Sequence, residues 1–247
     1  MTKILVHGLG RLGSSITLLP QDEFIVAAAV KSTQTANNYN FPIFYNLDDI
    51  NIDFDIIIDC SQASAVDSII KFAINKQKPI IICTTALYES TKNLIKQAAK
   101  TIPVLESANM SLGINLIVKL VKIAAAALQD SNFDIEITEK HHNKKIDAPS
   151  GTAVLLKNSI TSIINNLEPV YDRSNKLERR KLHEIGIQSI RGGNIIGDHT
   201  VLFAGQDETI EISHNAISRD VFARGAIKAA KFISTKPAGL YSMNDLL

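Results

Sequence analysis

The sequence predicts an α/β protein in which an N-terminal doubly wound parallel sheet is followed by a second α+β domain with an open mixed sheet. Three observations predict it. Apolar runs of strand length at Ile4-Leu5-Val6, Phe24 to Val30, Asp55 to Ser61 and Pro79 to Cys83 alternate with segments of helical periodicity. A glycine-rich turn joins the first strand to the first helix. Beyond Phe133 the pattern changes to period-2 strands separated by turns rich in Gly, Asn and Asp. A chain of 247 residues suffices for one large domain or two small ones, and 45% hydrophobic with 21% charged residues is a globular composition. The formal net charge of +1 argues against nucleic acid or a membrane surface as partner.

The first strand, Lys3 to His7, runs into Gly8-Leu9-Gly10-Arg11-Leu12-Gly13, and Ser14 to Leu19 is helix-like. This is G-x-G-x-x-G with a strand before it and a helix after it. Gly8 permits the tight turn, Gly10 lets the backbone approach a pyrophosphate, and Gly13 lets helix and strand pack closely. The diphosphate then rests on the helix N-terminus. The prediction is a Rossmann-like dinucleotide site; the plainer alternative is a tight turn. Arg11 either faces the phosphates or is solvated. The second strand, Phe24 to Val30, ends in Lys31-Ser32-Thr33. An NAD-selective site carries Asp or Glu there for the ribose 2′-hydroxyl. A lysine and two hydroxyls suit a 2′-phosphate, so NADPH is expected, with NADH also accepted; the alternative is a strand-end lysine facing water.

Asp55 to Ser61 is a continuous apolar run, followed by a helix with Ala65, Ile69, Ile70, Phe72 and Ala73 as its buried side. The next strand, Pro79 to Cys83, ends in Thr84-Thr85; a helix from Ser90 to Lys100 leads to the short strand Val104-Leu105. Ligands of such sheets bind outside the carboxyl ends of the strands. Cys83-Thr84-Thr85 and Ser107-Ala108-Asn109-Met110 fall at two of these ends. Cys60 and Cys83, the only cysteines, read as reduced and buried. Gly113 to Gln129 is an amphipathic helix bridging to the second domain; its most apolar stretch is broken by Lys119 and Lys122, so no membrane span is expected. The chain enters its first strand without a signal-peptide pattern, which makes a cytoplasmic location the default expectation.

Phe133, Ile135 and Ile137 alternate with Asp134, Glu136 and Thr138, a half-buried strand. A charged stretch follows, Glu139-Lys140-His141-His142-Asn143-Lys144-Lys145-Ile146-Asp147-Ala148-Pro149-Ser150-Gly151-Thr152-Ala153, read as a loop before a helix that ends near Leu167. A histidine gives or takes a proton near neutral pH, and lysine supplies a lasting positive charge. Ser150-Gly151-Thr152 opens a helix, offering hydroxyls and outward N–H groups to an anion. Together these suit a small dicarboxylate substrate and a proton-transfer step; the alternative is a solvated basic loop with an ordinary cap. A zinc site is not expected, since no Cys is near and adjacent histidines rarely share a metal. Glu168 to Glu184 reads as a polar loop, and Gly186 to Arg191, Thr200 to Ala204 and Thr209 to His214 as three strands. His183, His199 and His214 are read as surface or packing residues. Arg219 to about Ser234 is the last helix, and Pro237 to Tyr241 closes the chain.

The pattern E-x-H-H-x-x-K-x-D-x-P-S-G-T-A from Glu139 to Ala153 resembles the signature of the dihydrodipicolinate (4-hydroxy-tetrahydrodipicolinate) reductase family of the diaminopimelate route to lysine, and the likeness extends over nearly the whole chain. The resemblance implies a pyridine-nucleotide-dependent oxidoreductase reducing 4-hydroxy-tetrahydrodipicolinate to tetrahydrodipicolinate. It implies that His141 and Lys145 are catalytic and that His142, Gly151 and Thr152 hold the substrate carboxylates. It assigns the cofactor to Gly8 through Gly13, to Cys83-Thr84-Thr85 and to Ser107 through Met110. The chain departs from the family's G-T-T-G pattern by Cys83 and Ala86. The resemblance returns the last helix to the first domain, giving residues 1–108 with 217–247 as the dinucleotide domain and 109–216 as the substrate domain, and it implies a homotetramer built through the open sheet. Two other classes stay open on the residues alone. Another two-domain dehydrogenase shares the first half but does not call for H-H-x-x-K followed by P-S-G-T. A regulatory nucleotide sensor would not require His141, Lys145 and Thr152.

Overall fold

The computed structural model describes residues 1–33, 39–174 and 176–247. These fall into two compact units, Met1–Leu112 with Asp220–Leu247, and Gly113–Arg219. Asn175, within the predicted 168–184 loop, lies outside the described residues.

The first unit holds β1 (Thr2–His7), α1 (Arg11–Leu18), β2 (Phe24–Val30), β3 (Ile43–Phe44), β4 (Ile56–Asp59), α2 (Ala63–Lys76), β5 (Ile80–Ile82), α3 (Glu89–Ala98) and β6 (Pro103–Glu106). The chain leaves it through α4 (Leu112–Leu128) and returns as α6 (Asp220–Ile233) and β12 (Gly239–Tyr241). Seven strands form one parallel sheet in the order β12-β6-β5-β4-β1-β2-β3. Successive strand residues point to opposite faces, so the continuous apolar runs fill two cores. Ile4, Val6, Ile56, Ile58 and Ile81 meet α1 and α6, whereas Leu5, Ile57, Ile80 and Ile82 meet α2 and α3. Small residues on α6, Ala223, Ala226, Ala229 and Ala230, are buried in the first of these. Helix α1 begins at Arg11 rather than Ser14, because the Gly turn is already closed at Gly10, whose carbonyl accepts from the Ser14 N–H. On α2 the buried residue is Val66, not Ala65, which sits half-buried one position round the helix.

The second unit is a mixed sheet in the order β11-β10-β7-β9-β8, made of β7 (Asp134–His141), β8 (Glu168–Val170), β9 (Glu184–Arg191), β10 (Gly197–Ala204) and β11 (Thr209–Ala216). Helices α4 and α5 (Gly151–Thr161) cover one face through Val118, Val121, Leu156 and Ile160. The other face stays open; there Arg180 donates to the carboxylates of Asp134 and Glu136 and to the carbonyls of Ile135 and Glu184. Three readings of the sequence are corrected here. The charged stretch is not all loop, because β7 continues through Glu139, Lys140 and His141, paired with β10 and β9. Helix α5 stops at Thr161; Ile163 and Ile164 keep the apolar pattern going only because the turn after it still packs on the core. The 168–184 stretch opens with β8, where the Glu168 N–H donates to the His183 carbonyl and the strand pairs with β9.

Candidate active site

The strand order of the first sheet reverses at β1, which has β2 on one side and β4 on the other. A ligand crevice is expected outside the carboxyl ends of those strands. A cavity of about 1000 Å³ lies there, lined by Gly8, Leu9, Gly10 and Lys31 together with residues such as Ser32 and Thr33. Gly8 has φ +91°, and a Cβ on it would lie 2.7 Å from the Cys60 carbonyl oxygen. A Cβ on Gly13 would lie 1.9 Å from the Gly8 carbonyl oxygen, so the helix seats against the turn only with hydrogen there. Gly10 caps α1 without any side-chain bond and has open space around its Cα. The N–H groups of the first turn, which lack intrahelical acceptors, thus suit a diphosphate. These residues fit a dinucleotide.

Other predicted cofactor residues are placed differently. Arg11 is exposed, whereas Leu12 packs into the core and Met110 is 2% exposed within it. Cys83 is half-buried against the same core, and Ala86 takes φ +55°, the left-handed conformation suited to the glycine it replaces. Thr84 is buried and donates at 2.6 Å to Asp59, whose carboxylate also meets His7 Nδ1 at 2.7 Å and the Ser61 hydroxyl at 2.6 Å. Thr85 and Ala108 are exposed, and the Ser107 hydroxyl donates to the Asn109 carbonyl in a tight turn. The cavity also takes in Tyr45, Asn46, Gln62 and Lys71, which the sequence reading left out because nothing local marks them as cleft residues.

In the second unit the charged stretch becomes a built site. Ile135, Ile137, Glu139 and His141 share the covered face of β7, so the apolar row ends in a carboxylate and an imidazole. Glu139 is fully buried, and its carboxylate is 2.6 Å from His141 Nδ1. Arg191 donates from both terminal nitrogens to the two Glu139 oxygens, at 2.8 and 2.7 Å, and one of them also reaches the Asp147 carbonyl at 2.7 Å. The Ser150 N–H donates to Glu139 at 3.0 Å. Burial works to raise the Glu139 pKa, but hydrogen bonds from Arg191, Ser189, His141 and Ser150 outweigh it and hold the carboxyl at about 2. Ser150 caps α5, accepting from the Ala153 N–H, and lies 2.9 Å from His199 Nε2. Gly151 is exposed and Thr152 half-buried in the first turn of α5. The His199 ring meets the His141 ring edge-on at 5.2 Å between centroids. Burial, aided by His141, pushes the His199 pKa down to about 4, so this ring is neutral.

The loop between β7 and α5 is pinned to the β9–β10 turn, the Asn143 N–H donating to the Gly193 carbonyl and the Gly192 N–H to the His141 carbonyl. Lys145 is bound to both oxygens of Asp147 at 2.9 Å, which lowers the Asp147 pKa, and its charge is felt at His199. His142 is half-buried. The structure thus gathers His141, Ser150 and the start of α5 around Glu139. Three residues of this network had no assigned role: Glu139, Arg191 and His199. A signal for the first existed, since continuing the strand alternation past Ile137 places Glu139 on the buried face, where a carboxylate needs a cation. Among the described residues no group of three or more His, Cys, Asp or Glu is arranged to hold a metal, and no helix is long and apolar enough to cross a membrane.

Comparison with known proteins covers both units. Residues 2–110 match the family model described as dihydrodipicolinate reductase, N-terminus, and residues 113–247 match dihydrodipicolinate reductase, C-terminus. A 4-hydroxy-tetrahydrodipicolinate reductase of Clostridium tetani is 44% identical over 251 residues, covering 100% of this chain and 97% of the relative. That of Caldanaerobacter subterraneus subsp. tengcongensis is likewise 44% identical, covering 100% and 98%. Among solved structures, a dipicolinate-bound dihydrodipicolinate reductase from a Paenisporosarcina species shares the fold with a TM-score of 0.81 at 20% identity, covering 100% of both chains.

Proposed function

The chain belongs to the dihydrodipicolinate reductase family, and from that premise we propose that it reduces 4-hydroxy-tetrahydrodipicolinate to tetrahydrodipicolinate with a pyridine nucleotide, in the diaminopimelate route to lysine. The observation that carries the reading is the juxtaposition in the second unit of a buried, carboxylate-bound histidine with a helix N-terminus suited to an anion. The 4-hydroxyl leaves as water to give the conjugated dihydropyridine imine, and a reduced nicotinamide, when bound, would supply hydride to C4 of that ring. His141 delivers the proton to the carbanionic position, and Lys145 stabilises charge beside it. His142, Gly151 and Thr152 hold the ring carboxylates, the last two through the first turn of α5. Gly8 to Gly13 hold the diphosphate, with Thr84-Thr85 and Ser107 to Asn109 lining the nicotinamide side through the ends of β5 and β6.

Lys31 with Ser32 and Thr33 favours NADPH, while NADH is still accepted because the glycine turn is indifferent to the 2′-position. The enzyme works in the cytoplasm as a homotetramer, assembled through the open face of the second sheet; light scattering on the purified protein tests that assembly. The activity itself is tested by following oxidation of NADPH and of NADH with the fresh product of dihydrodipicolinate synthase. Turnover dependent on that product is expected, and none with either cofactor overturns the reading.

A further inference from the structure

We propose that Glu139, clamped by Arg191, is a positioning residue that keeps a proton on Nδ1 of His141 and so makes Nε2 the atom through which His141 passes its proton. The inference rests on the reading of His141 as the acid. An ionised carboxylate offers about four lone-pair sites and no hydrogen of its own. Around Glu139 those sites are met by His141 Nδ1, both terminal nitrogens of Arg191, the backbone N–H of Ser150 and the Ser189 side chain. The carboxylate is fully buried, so water does not compete, and with every site taken it has no freedom to turn. The hydrogen in the 2.6 Å contact therefore belongs to the imidazole, on Nδ1. The opposite nitrogen lies over Gly197, where an added Cβ would come within 3.0 Å of it; the absent side chain leaves that side of the ring room.

Arg191 has a second effect. A buried carboxylate against an imidazole pulls it toward the charged form, and a guanidinium on the same carboxylate opposes that pull. The surrounding groups do not duplicate either effect. Lys145 and Asp147 in the loop pair with each other, His199 on β10 is neutral, and His214 lies beyond His199 on the edge strand β11. The first turn of α5, Gly151 to Val154, has no charged side chain. Glu139 and Arg191 thus act on His141 with opposite signs.

The experiment measures the pH dependence of kcat for wild type, Glu139→Gln and Arg191→Gln, and reads the His141 ring nitrogens by ¹⁵N NMR in the unliganded wild-type protein. Glu139→Gln is expected to lower kcat at least about tenfold, part of what a general acid contributes. It should move the limb on which activity falls with rising pH to lower pH. Arg191→Gln should move the same limb to higher pH, a pair of opposite shifts that a merely structural role would not produce. If Glu139→Gln does not fold, the Arg191→Gln shift and the wild-type tautomer still decide. A neutral ring carrying its proton on Nε2 overturns the proposal, as do limbs that stay in place or move together. His141→Ala separates the two readings. Near-normal turnover there defeats the acid role itself; an inactive His141→Ala with unmoved limbs defeats only the positioning role of Glu139.

Discussion

Two helix N-termini in this chain, those of α1 and α5, are both suited to anions but are built from different materials. At α1 the capping residue is Gly10, which makes no side-chain bond, and the turn is shaped by what is missing: hydrogens where Gly8 and Gly13 meet backbone. At α5 the cap is Ser150, whose hydroxyl is bound to Ala153 and His199 and whose N–H is bound to Glu139. The first site is backbone held open by glycine; the second is a network of side chains bonded around one buried carboxylate. A site of the first kind accepts any diphosphate of the right size and fails when atoms are added. One of the second kind fixes a particular nitrogen in a particular place and fails when atoms are removed.

Removing His141 should have the largest effect. His141→Ala is expected to lower kcat roughly 10²–10⁴-fold with little change in cofactor KM. Steady-state kinetics with both substrates varied checks it, and a folded variant with near-normal turnover breaks the contrast at its strongest point.

The second network should also reveal itself in stability. His199 ordinarily titrates near 6.5 but is held at about 4, so the unfolded chain binds a proton that the folded one refuses. Through this residue stability falls as pH drops from about 6.5 toward 4, by on the order of 3 kcal/mol, and His214, whose pKa burial also lowers, adds a loss in the same direction. Denaturant titrations at several pH values should show a shallower slope in His199→Gln; an unchanged slope would assign it to another group.

Adding one methyl group tests the first site. Gly13→Ala places a Cβ 1.9 Å from the Gly8 carbonyl oxygen. The expected cost is about 1–3 kcal/mol of stability with weakened cofactor binding, seen as a lowered Tm and a raised cofactor KM. A variant with unaltered Tm and KM would mean that the turn yields more easily than its packing implies.

At α5 the matching loss is milder. Thr152→Val keeps volume and removes a donor, and should weaken binding of pyridine-2,6-dicarboxylate by about 1–3 kcal/mol. Inhibition by that planar dicarboxylate, compared in wild type and variant, locates the carboxylates; equal inhibition places them away from Thr152. The smallest effect is expected at Lys31, at the half-exposed rim of the cavity. Its contribution to NADPH preference should be on the order of 1–2 kcal/mol, roughly tenfold in kcat/KM, shrinking as salt rises. Lys31→Ala should flatten the preference and Lys31→Glu reverse it. A ratio that ignores both changes would leave Lys31 as a solvated strand end.

The sequence by itself determined what local sterics and periodicity can encode. Phe24–Val30 is a strand because every residue is apolar and several are β-branched, and it forms over that very span. The turn at Gly8 to Gly13 was legible because glycine alone serves where a φ as large as the +91° of Gly8 is combined with backbone in direct contact. Apart from β3, the order of strand and helix through β6 followed from the same local signals, and the charged stretch announced a candidate site through its residue types. Tertiary structure decided what depends on partners far along the chain. β3 and β12, of two and three residues, carry too little pattern to be recognised and exist because neighbouring strands supply their hydrogen bonds. Asp59 gathers His7 and Thr84 only because β1, β4 and β5 end side by side. Glu139 meets an arginine 52 residues away because β7 and β9 pair in one register and no other. His199, read from the sequence as a surface or packing residue just before a strand starting at Thr200, lies within β10 and faces Glu139 because β10 pairs with β7 on its other side. Local sequence specifies which face a side chain takes; the register between distant strands specifies which charge or ring waits on that face to answer it.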